Sequence, residues 1–478
     1  MLKLDALQRP ADAKRLLAAI KNNADLFDTA QPIHAARAPG RLDLMGGIAD
    51  YSGALVLELP LGVATYAAVQ RARHTNIVVR SLADDATHGS ANVSIPLSVI
   101  APDGAPLPYA NARALLASQP ATAWAAYVLG PLLVLMRENG MRLAGGLNIL
   151  IVSDVPAGKG VSSSAAIEVA AMRALCALSR TKLDGRALAM LCQKAENLVV
   201  GAPCGVMDQM TSACGIKDSL LALHCQPAEL QAPVYLPKQL AVWGIDSGVR
   251  HAVSGADYGS VRVGAFMGYR IIADAIGLPV KTISPGRVEI ADNRTGGYLA
   301  NITPSEWEAH LRERLPVEIS GAGFLERYGG FTDAITTIDP ARTYSVRQPT
   351  AHPIYEHHRV SLFRELLQAP LTTESRKLLG ELMFQSHASY SACGVGSEAT
   401  DLIVELVRRA GPKSGLYGAK ITGGGSGGTV AVLGDRKAGK AVQKIADSYA
   451  ELTGHESFIL SGSSDGAMAT GALKVTQG

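Results

Sequence analysis

Apolar residues recur along this 478-residue chain with two different periods, and the alternation between them predicts a mixed fold. Residues 11–28 place Leu16, Leu17, Ile20 and Leu26 on roughly one face, the spacing that buries one side of a helix. Residues 55–61, 64–71 and 75–80 are β-branched or alternating and separated by turns, which predicts three strands. Residues 122–139 predict a largely buried helix ending at Gly140, 147–152 a short apolar strand, and 163–179 and 186–198 two more helices. Beyond residue 250 the pattern weakens, and 281–318 is a Pro-, Gly- and polar-rich stretch that reads as an insertion or interdomain connection. Helices are predicted over 356–367, 373–391, 398–409 and 438–452, with strands at 419–422, 428–434 and 456–460. Adjacent strand hairpins and helices predict an α+β fold. The length predicts two or three packed lobes.

Composition narrows the function. Hydrophobic residues make up 47% and charged residues 18%, ordinary for a globular protein with a sizeable core. The 45 basic and 42 acidic side chains nearly cancel, to +3, which argues against a nucleic-acid or membrane-surface role. Cys176, Cys192, Cys204, Cys214, Cys225 and Cys393 form no Cys-x-x-Cys pair, so a reduced cytoplasmic protein with incidental thiols is expected. No signal peptide is visible, and the longest apolar stretches, such as 127–136, fall far short of the ~20 residues that span a bilayer. The expectation is a soluble protein acting on small molecules, monomeric by default.

Two segments carry candidate chemistry. Pro156-Ala-Gly-Lys-Gly-Val-Ser-Ser-Ser-Ala-Ala166 follows a predicted strand and opens a predicted helix. Glycines such as Gly158 and Gly160 let backbone approach an anion, and free N–H groups at a helix start attract one. Ser162, Ser163 and Ser164 add hydroxyls for phosphate oxygens or a cation. Taken alone, the same turn also reads as an ordinary serine-capped helix. Residues 195–210, Ala-Glu-Asn-Leu-Val-Val-Gly-Ala-Pro-Cys-Gly-Val-Met-Asp-Gln-Met, set Asp208 between Met207 and Met210 after a loop containing Gly205. An apolar setting raises a carboxyl pKa towards that of a general base, whereas a nearby arginine holds it ionised. Alone, Asp208 reads first as a helix cap.

Four runs together resemble the GHMP kinases, and within them the galactokinase-like branch. Residues 37–51, Arg-Ala-Pro-Gly-Arg-Leu-Asp-Leu-Met-Gly-Gly-Ile-Ala-Asp-Tyr, are similar to the galactokinase signature Gly-Arg-x-Asn-x-Ile-Gly-Glu-His-x-Asp-Tyr. The 156–166 run resembles the family's second motif, 195–210 its Pro-Cys-Gly-Ile-Met-Asp-Gln block, and Ile421-Thr-Gly-Gly-Gly-Ser-Gly-Gly-Thr429 its third motif, with Ser426 in place of Phe. The resemblance implies the two-lobed GHMP kinase fold, with an N-terminal ribosomal S5 domain 2-like lobe and a C-terminal ferredoxin-like lobe. It also implies use of ATP and Mg²⁺. Pro156, Gly158, Gly160, Ser162, Ser163 and Ser164 would wrap the phosphates, Ser163 and Glu196 would hold Mg²⁺, and Trp124 would face adenine. Asp208 becomes the base beside Arg41, and Asp50, Gly205 and Tyr258 contact the sugar. Tyr258 ends the run 246–258, which is similar to a galactokinase segment reaching a sugar hydroxyl.

Gly47 and Ile48 stand where the galactokinase Glu-His pair faces the sugar's C6 hydroxymethyl group. L-Arabinopyranose is galactopyranose without that group, and the variant run also resembles L-arabinokinases. Galactose would leave O6 without partners, at a cost of order 1–3 kcal/mol. The expectation is therefore an ATP-dependent sugar 1-kinase preferring L-arabinose. A galactokinase and a silent sugar and ATP sensor are the alternatives. Exchanging Gly47 for Glu and Ile48 for His is expected to move the preference towards galactose.

Overall fold

The computed structural model describes residues 2–6, 10–28, 30–83, 90–249 and 257–477. Ten strands form the first sheet. Its main path runs Leu2–Ala6, Leu473–Gln477, Ile33–Met45, Leu55–Arg71, Leu147–Ser153, Asn76–Ala83 and Ser90–Pro96. Only Asn76–Ala83 and Leu147–Ser153 run parallel along this path. Ser219–His224 pairs with the first part of Leu55–Arg71 and carries two short strands of its own.

The strands predicted at 55–61 and 64–71 are one continuous 17-residue strand. A single partner, Ile33–Met45, runs along both halves, and its register shifts between Pro39 and Arg41 and again between Asp43 and Met45. Such irregularities re-aim side chains and recur beside functional sites. Helix Ala13–Asn22 stops short of the predicted end at 28. The Asn23 side chain donates to the Ala19 carbonyl at 2.8 Å, closing the last turn.

One face of the sheet buries an apolar core against helices Ala126–Glu138, Ser163–Ser179, Gly185–Ala195 and Met207–Cys214. Ser163–Ser179 matches its predicted bounds; alanine-rich and nearly free of large polar groups, it packs closely on the two longest strands. A second sheet, ordered Leu416–Ile421, Thr429–Asp435, Leu240–Asp246 and Ile459–Leu460, is covered by Glu398–Ala410 and Gly439–Thr453. Helices Arg347–Gln368 and Thr373–Ala392 lie between the two sheets, and Phe363, Leu379 and Met383 join their cores. The first of these begins well before its predicted start because Pro349 falls in its opening turn and Pro353 is tolerated inside it.

The stretch predicted as an insertion has structure. Helix Asp257–Ala275 precedes a hairpin, Val280–Ser284 with Gly286–Ile290, and the chain then closes around Trp307, Phe324 and Phe331, all nearly inaccessible. The six cysteines are free, and among the described residues no helix is long and apolar enough to cross a membrane. Replacing Trp307 by Ala is expected to cost about 3–5 kcal/mol, read as a lower urea midpoint of unfolding.

Candidate active site

Three segments far apart in sequence interlock at one point. Leu147–Ser153 delivers the 156–162 loop, and Ser162, with φ of 59°, turns it into helix Ser163–Ser179. Arg41 reaches it from the bulged strand: its N–H donates to the Val161 carbonyl at 3.1 Å and its guanidinium to the Gly160 carbonyl at 2.7 Å. From the other side, the Thr429 N–H donates to the Lys159 carbonyl at 3.0 Å. The Lys159 ammonium pairs with Asp246 at 3.0 Å. Pro156 is half-buried at the loop's start, and Gly158 faces open space, with no atom within 4 Å of an added Cβ. The loop thus has a fixed base and an unobstructed crest in front of a helix N-terminus, the arrangement that binds anions.

Arg41 and Asp208 form the centre. Arg41 Nε and Nη2 approach Asp208 Oδ1 at 2.9 and 2.7 Å, and the Ser162 hydroxyl donates to Oδ2 at 2.5 Å. Burial works against the Arg41 charge, but Asp208, Glu58 and Asp43 outweigh it and keep the guanidinium protonated beyond its ordinary range. Asp208 opens helix Met207–Cys214 and makes no cap bond there: its carboxylate is turned to Arg41 and Ser162.

The three serines diverge. Ser162 holds Asp208, Ser164 bonds Glu196, and Ser163 lies half-buried between them. Glu196 starts a π-helical turn, Glu196–Val200, and its carbonyl accepts from the Gly201 N–H at 2.9 Å; such turns often mark functional positions. Burial and the Asp208 charge push the Glu196 carboxyl up to about 7, against bonds from Ser164, Cys204 and Gln209. Trp124 sits on the turn preceding helix Ala126–Glu138, partly buried against the N-terminal core, with its indole N–H shielded and unpartnered. The structure does not bring it into the Arg41–Asp208 cluster.

Asp50 and Gly205 meet closely. A Cβ on Gly205 would stand 1.6 Å from Asp50 Oδ2, so only glycine admits this carboxylate. Burial and Asp208 push Asp50 up to about 6, against the pull of Arg262. Tyr258 lies half-buried near Asp50, and its ring meets that of Tyr51 edge-on at 6.0 Å. Residues 250–256 of the 246–258 run lie outside the described residues. Ile48 is 1% exposed with φ of 49°, a conformation rare for a β-branched residue. It packs with Val261, Tyr390, Cys393, Val395 and Ile421.

Several groups here escaped the motif reading. Arg262 forms a two-pronged pair with Asp333, at 2.8 Å on each side, and donates to the Cys204 carbonyl. Glu58 stands directly across the strand pair from Asp43 and 3.2 Å from Arg41 Nε. Burial and Asp43 raise its carboxyl well above the ordinary range. Asp43 itself forms a fully buried pair with Lys420 at 2.7 Å. Behind the 46–50 turn, Glu356 accepts from the Gly46 N–H at 3.0 Å, and His352 Nε2 lies 2.9 Å from the Gly47 carbonyl. Burial holds His352 down to about 4, so Nε2–H donates from a neutral ring. The i,i+4 spacing of His352 and Glu356 was the one signal available.

With this geometry in hand, comparison with known proteins gives a consistent answer. The chain belongs to the GHMP kinase family: the family's N-terminal domain model matches residues 126–216 and its C-terminal model residues 363–451. Its branch is the galactokinase-like one, for the galactokinase galactose-binding signature matches residues 24–71. An L-arabinokinase from Arabidopsis thaliana is 42% identical over 99% of this chain, which spans about half the length of that relative. A galactokinase from Chloroflexus aggregans is 30% identical, over 88% of this chain and 90% of its own length. Among solved structures, Lactococcus lactis galactokinase complexed with galactose superposes with a TM-score of 0.72 at 19% identity, covering 95% of this chain and 99% of that one. Mevalonate kinase from Methanococcus jannaschii gives 0.54 at 14%, over 89% and 96%. Both show the fold.

Asp50 generates a pH prediction. A raised carboxyl pKa means that folding favours the neutral acid, so stability is lost as pH rises through about 6. Asp50→Asn is expected to unfold at higher temperature than the parent at pH 8, by up to about 3 kcal/mol, with the gap closing near pH 4. Thermal unfolding across that range, without ligand, checks it.

Proposed function

We propose that this chain is an ATP-dependent sugar 1-kinase that phosphorylates the anomeric hydroxyl of L-arabinose to give L-arabinose 1-phosphate. The observation that carries the sugar class is the pair Gly47 and Ile48, which puts a residue without a side chain and a buried apolar one where the related signature has Glu-His. The similarity to an L-arabinokinase across nearly the whole chain supports the same reading. Asp50 supplies the acceptor for ring hydroxyls, with Gly205 and Tyr258 completing that side.

The site suits Mg²⁺ and ATP. The unobstructed crest at Gly158 and the 17-residue helix behind it fit a phosphate chain. Backbone from Pro156 to Ser164 would hold it, with Trp124 towards the base. Among the described residues no cluster of three acidic, His or Cys side chains is built for a metal on its own. Ser163 and Glu196 offer oxygen donors, which suit an ion that keeps waters and takes phosphate oxygens, as Mg²⁺ does. When bound, Mg²⁺–ATP supplies the phosphoryl group and offsets its charge.

The remaining chemistry belongs to the chain. Asp208 Oδ1 is saturated by the two Arg41 N–H groups, while Oδ2, among the described residues, accepts only from Ser162 and keeps a lone pair. Oδ2 orients the anomeric hydroxyl and takes its proton as the new P–O bond forms and ADP departs. Arg41 keeps Asp208 in place and adds positive charge near the transferring group, in a reaction governed by positioning and electrostatics. The linked Arg41, Asp208 and Ser162 weigh against a silent sensor. We place the protein in the reduced cytoplasm, acting as a single chain.

ADP release with Mg²⁺–ATP is expected to be fastest with L-arabinose, slower with D-galactose, and slowest with D-galacturonate and D-glucuronate. Galactose in first place would make the chain a galactokinase. In the same assay Asp208→Ala is expected to lose about 10²–10⁴-fold in turnover while still binding ATP. Turnover within tenfold of the parent would remove Asp208 from this role.

A further inference from the structure

The space beside Gly47 is already taken. A Cβ added to Gly47 would stand 1.8 Å from the Tyr390 hydroxyl and 2.1 Å from Asp43 Oδ2. These distances are far below any van der Waals contact, so no side chain fits at position 47 while Tyr390 and Asp43 keep their places. Tyr390 comes from the other side of the site, on helix Thr373–Ala392, and is completely buried. Its hydroxyl lies between Asp43 Oδ2, at 3.0 Å, and the Gly423 carbonyl, at 2.9 Å. His352 meets its ring edge-on at 5.4 Å, and the Lys420 ammonium lies 5.0 Å from the ring centre. A ring held at its hydroxyl, its edge and its face does not swing aside cheaply.

The same ring packs in one apolar cluster with Ile48. A left-handed β-branched residue is strained and persists only where its surroundings enforce it. Here the enforcing groups are Tyr390, Val261, Cys393, Val395 and Ile421, together with the His352 contact to the Gly47 carbonyl. Position 47, position 48 and Tyr390 are thus one packing unit contributed by two parts of the chain.

We propose that Tyr390 is a specificity-determining residue: from the C-terminal half it fills the volume that a side chain at position 47 needs, and with Ile48 it walls off the sugar site beyond Asp50. Resting on the sugar-kinase reading above, this assigns the site to pentopyranoses and against hexopyranoses carrying a hydroxymethyl or carboxylate group at C5. It also corrects the expectation for Gly47 and Ile48. Exchanging those two alone leaves Tyr390 in the way, so Gly47→Glu with Ile48→His is expected to disrupt the turn rather than admit galactose.

The test is a cycle of the parent, Gly47→Ala, Tyr390→Leu and the double variant, read by thermal unfolding without ligand and by kcat/KM for L-arabinose and D-galactose. Gly47→Ala is expected to lower the Tm by several degrees in the parent and by clearly less in the Tyr390→Leu background, where the Asp43 carboxylate alone still crowds position 47, since contacting positions are not additive. Tyr390→Leu is expected to cut the arabinose-to-galactose ratio of kcat/KM at least about tenfold. Should Tyr390→Leu not fold, Tyr390→Phe removes the hydroxyl alone and should still shrink the cost of Gly47→Ala. Additive Tm values with an unchanged sugar ratio would overturn the role of Tyr390 and leave the kinase intact. Turnover of neither sugar by the parent would instead sink the sugar reading, and the thermal cycle would still report the coupling.

Discussion

The ion pair between Asp43 and Lys420 is the contact on which the rest of the site hangs. Both side chains are fully inaccessible, and they come from strands in different sheets, Ile33–Met45 and Leu416–Ile421. Replacing such a pair by apolar residues often leaves stability unchanged or improved, whereas removing one partner strands a buried charge. The pair is therefore better understood as a lock on register than as a source of stability. Asp43 lies two residues after Arg41, Lys420 two before Thr422, and the Thr422 hydroxyl accepts from the Asp43 N–H at 2.7 Å. Once that contact forms, the arginine, the glycine-rich third segment and the phosphate loop have little freedom left relative to one another.

The surroundings of this lock are rich in carboxyl groups. Asp43, Glu58, Asp50, Asp208, Glu196 and Glu168 are gathered around few cations, chiefly Arg41, Lys420 and Arg262. Burial raises Glu58, Glu168, Asp50 and Glu196, so part of the crowding is relieved by keeping protons. Glu356 goes the opposite way: burial is outweighed by Arg359, His352 and Lys420, which hold it down to about 2. These four carboxyls are thus biased towards the neutral acid, while Glu356, behind the 46–50 turn, is biased towards the charged one.

How far the sequence disclosed this depended on whether a feature is local. Helix Ser163–Ser179 was legible, with only its end approximate, because its alanine-rich run is opened by a glycine-serine loop, whereas the left-handed Arg180 that closes it carries no mark in the sequence. The phosphate loop, Arg41 and Asp208 were legible because each lies in a short run. Strand Ile33–Met45 was not predicted, since Pro39 and Gly40 interrupt the alternation at the place where the register shifts. Around Trp307, short turns hide a core that only tertiary packing reveals. Asp43 and Tyr390 are 347 residues apart, as Asp43 and Lys420 are 377, and no window on the sequence contains both members of either pair.

Strand Leu473–Gln477 has a consequence for how the chain is made. It lies between Leu2–Ala6 and Ile33–Met45, pairing Val475 with Ile33 and Leu473 with Ala35. While the ribosome is still producing the middle of the chain, the backbone of residues 33–35 has an unfilled edge, open to pairing with any other strand nearby. Such an edge, waiting on residues synthesised far later, exposes the nascent chain to misassembly and slow closure. The first half of the protein, despite its large core, thus completes this edge of its sheet only when its distant strand arrives.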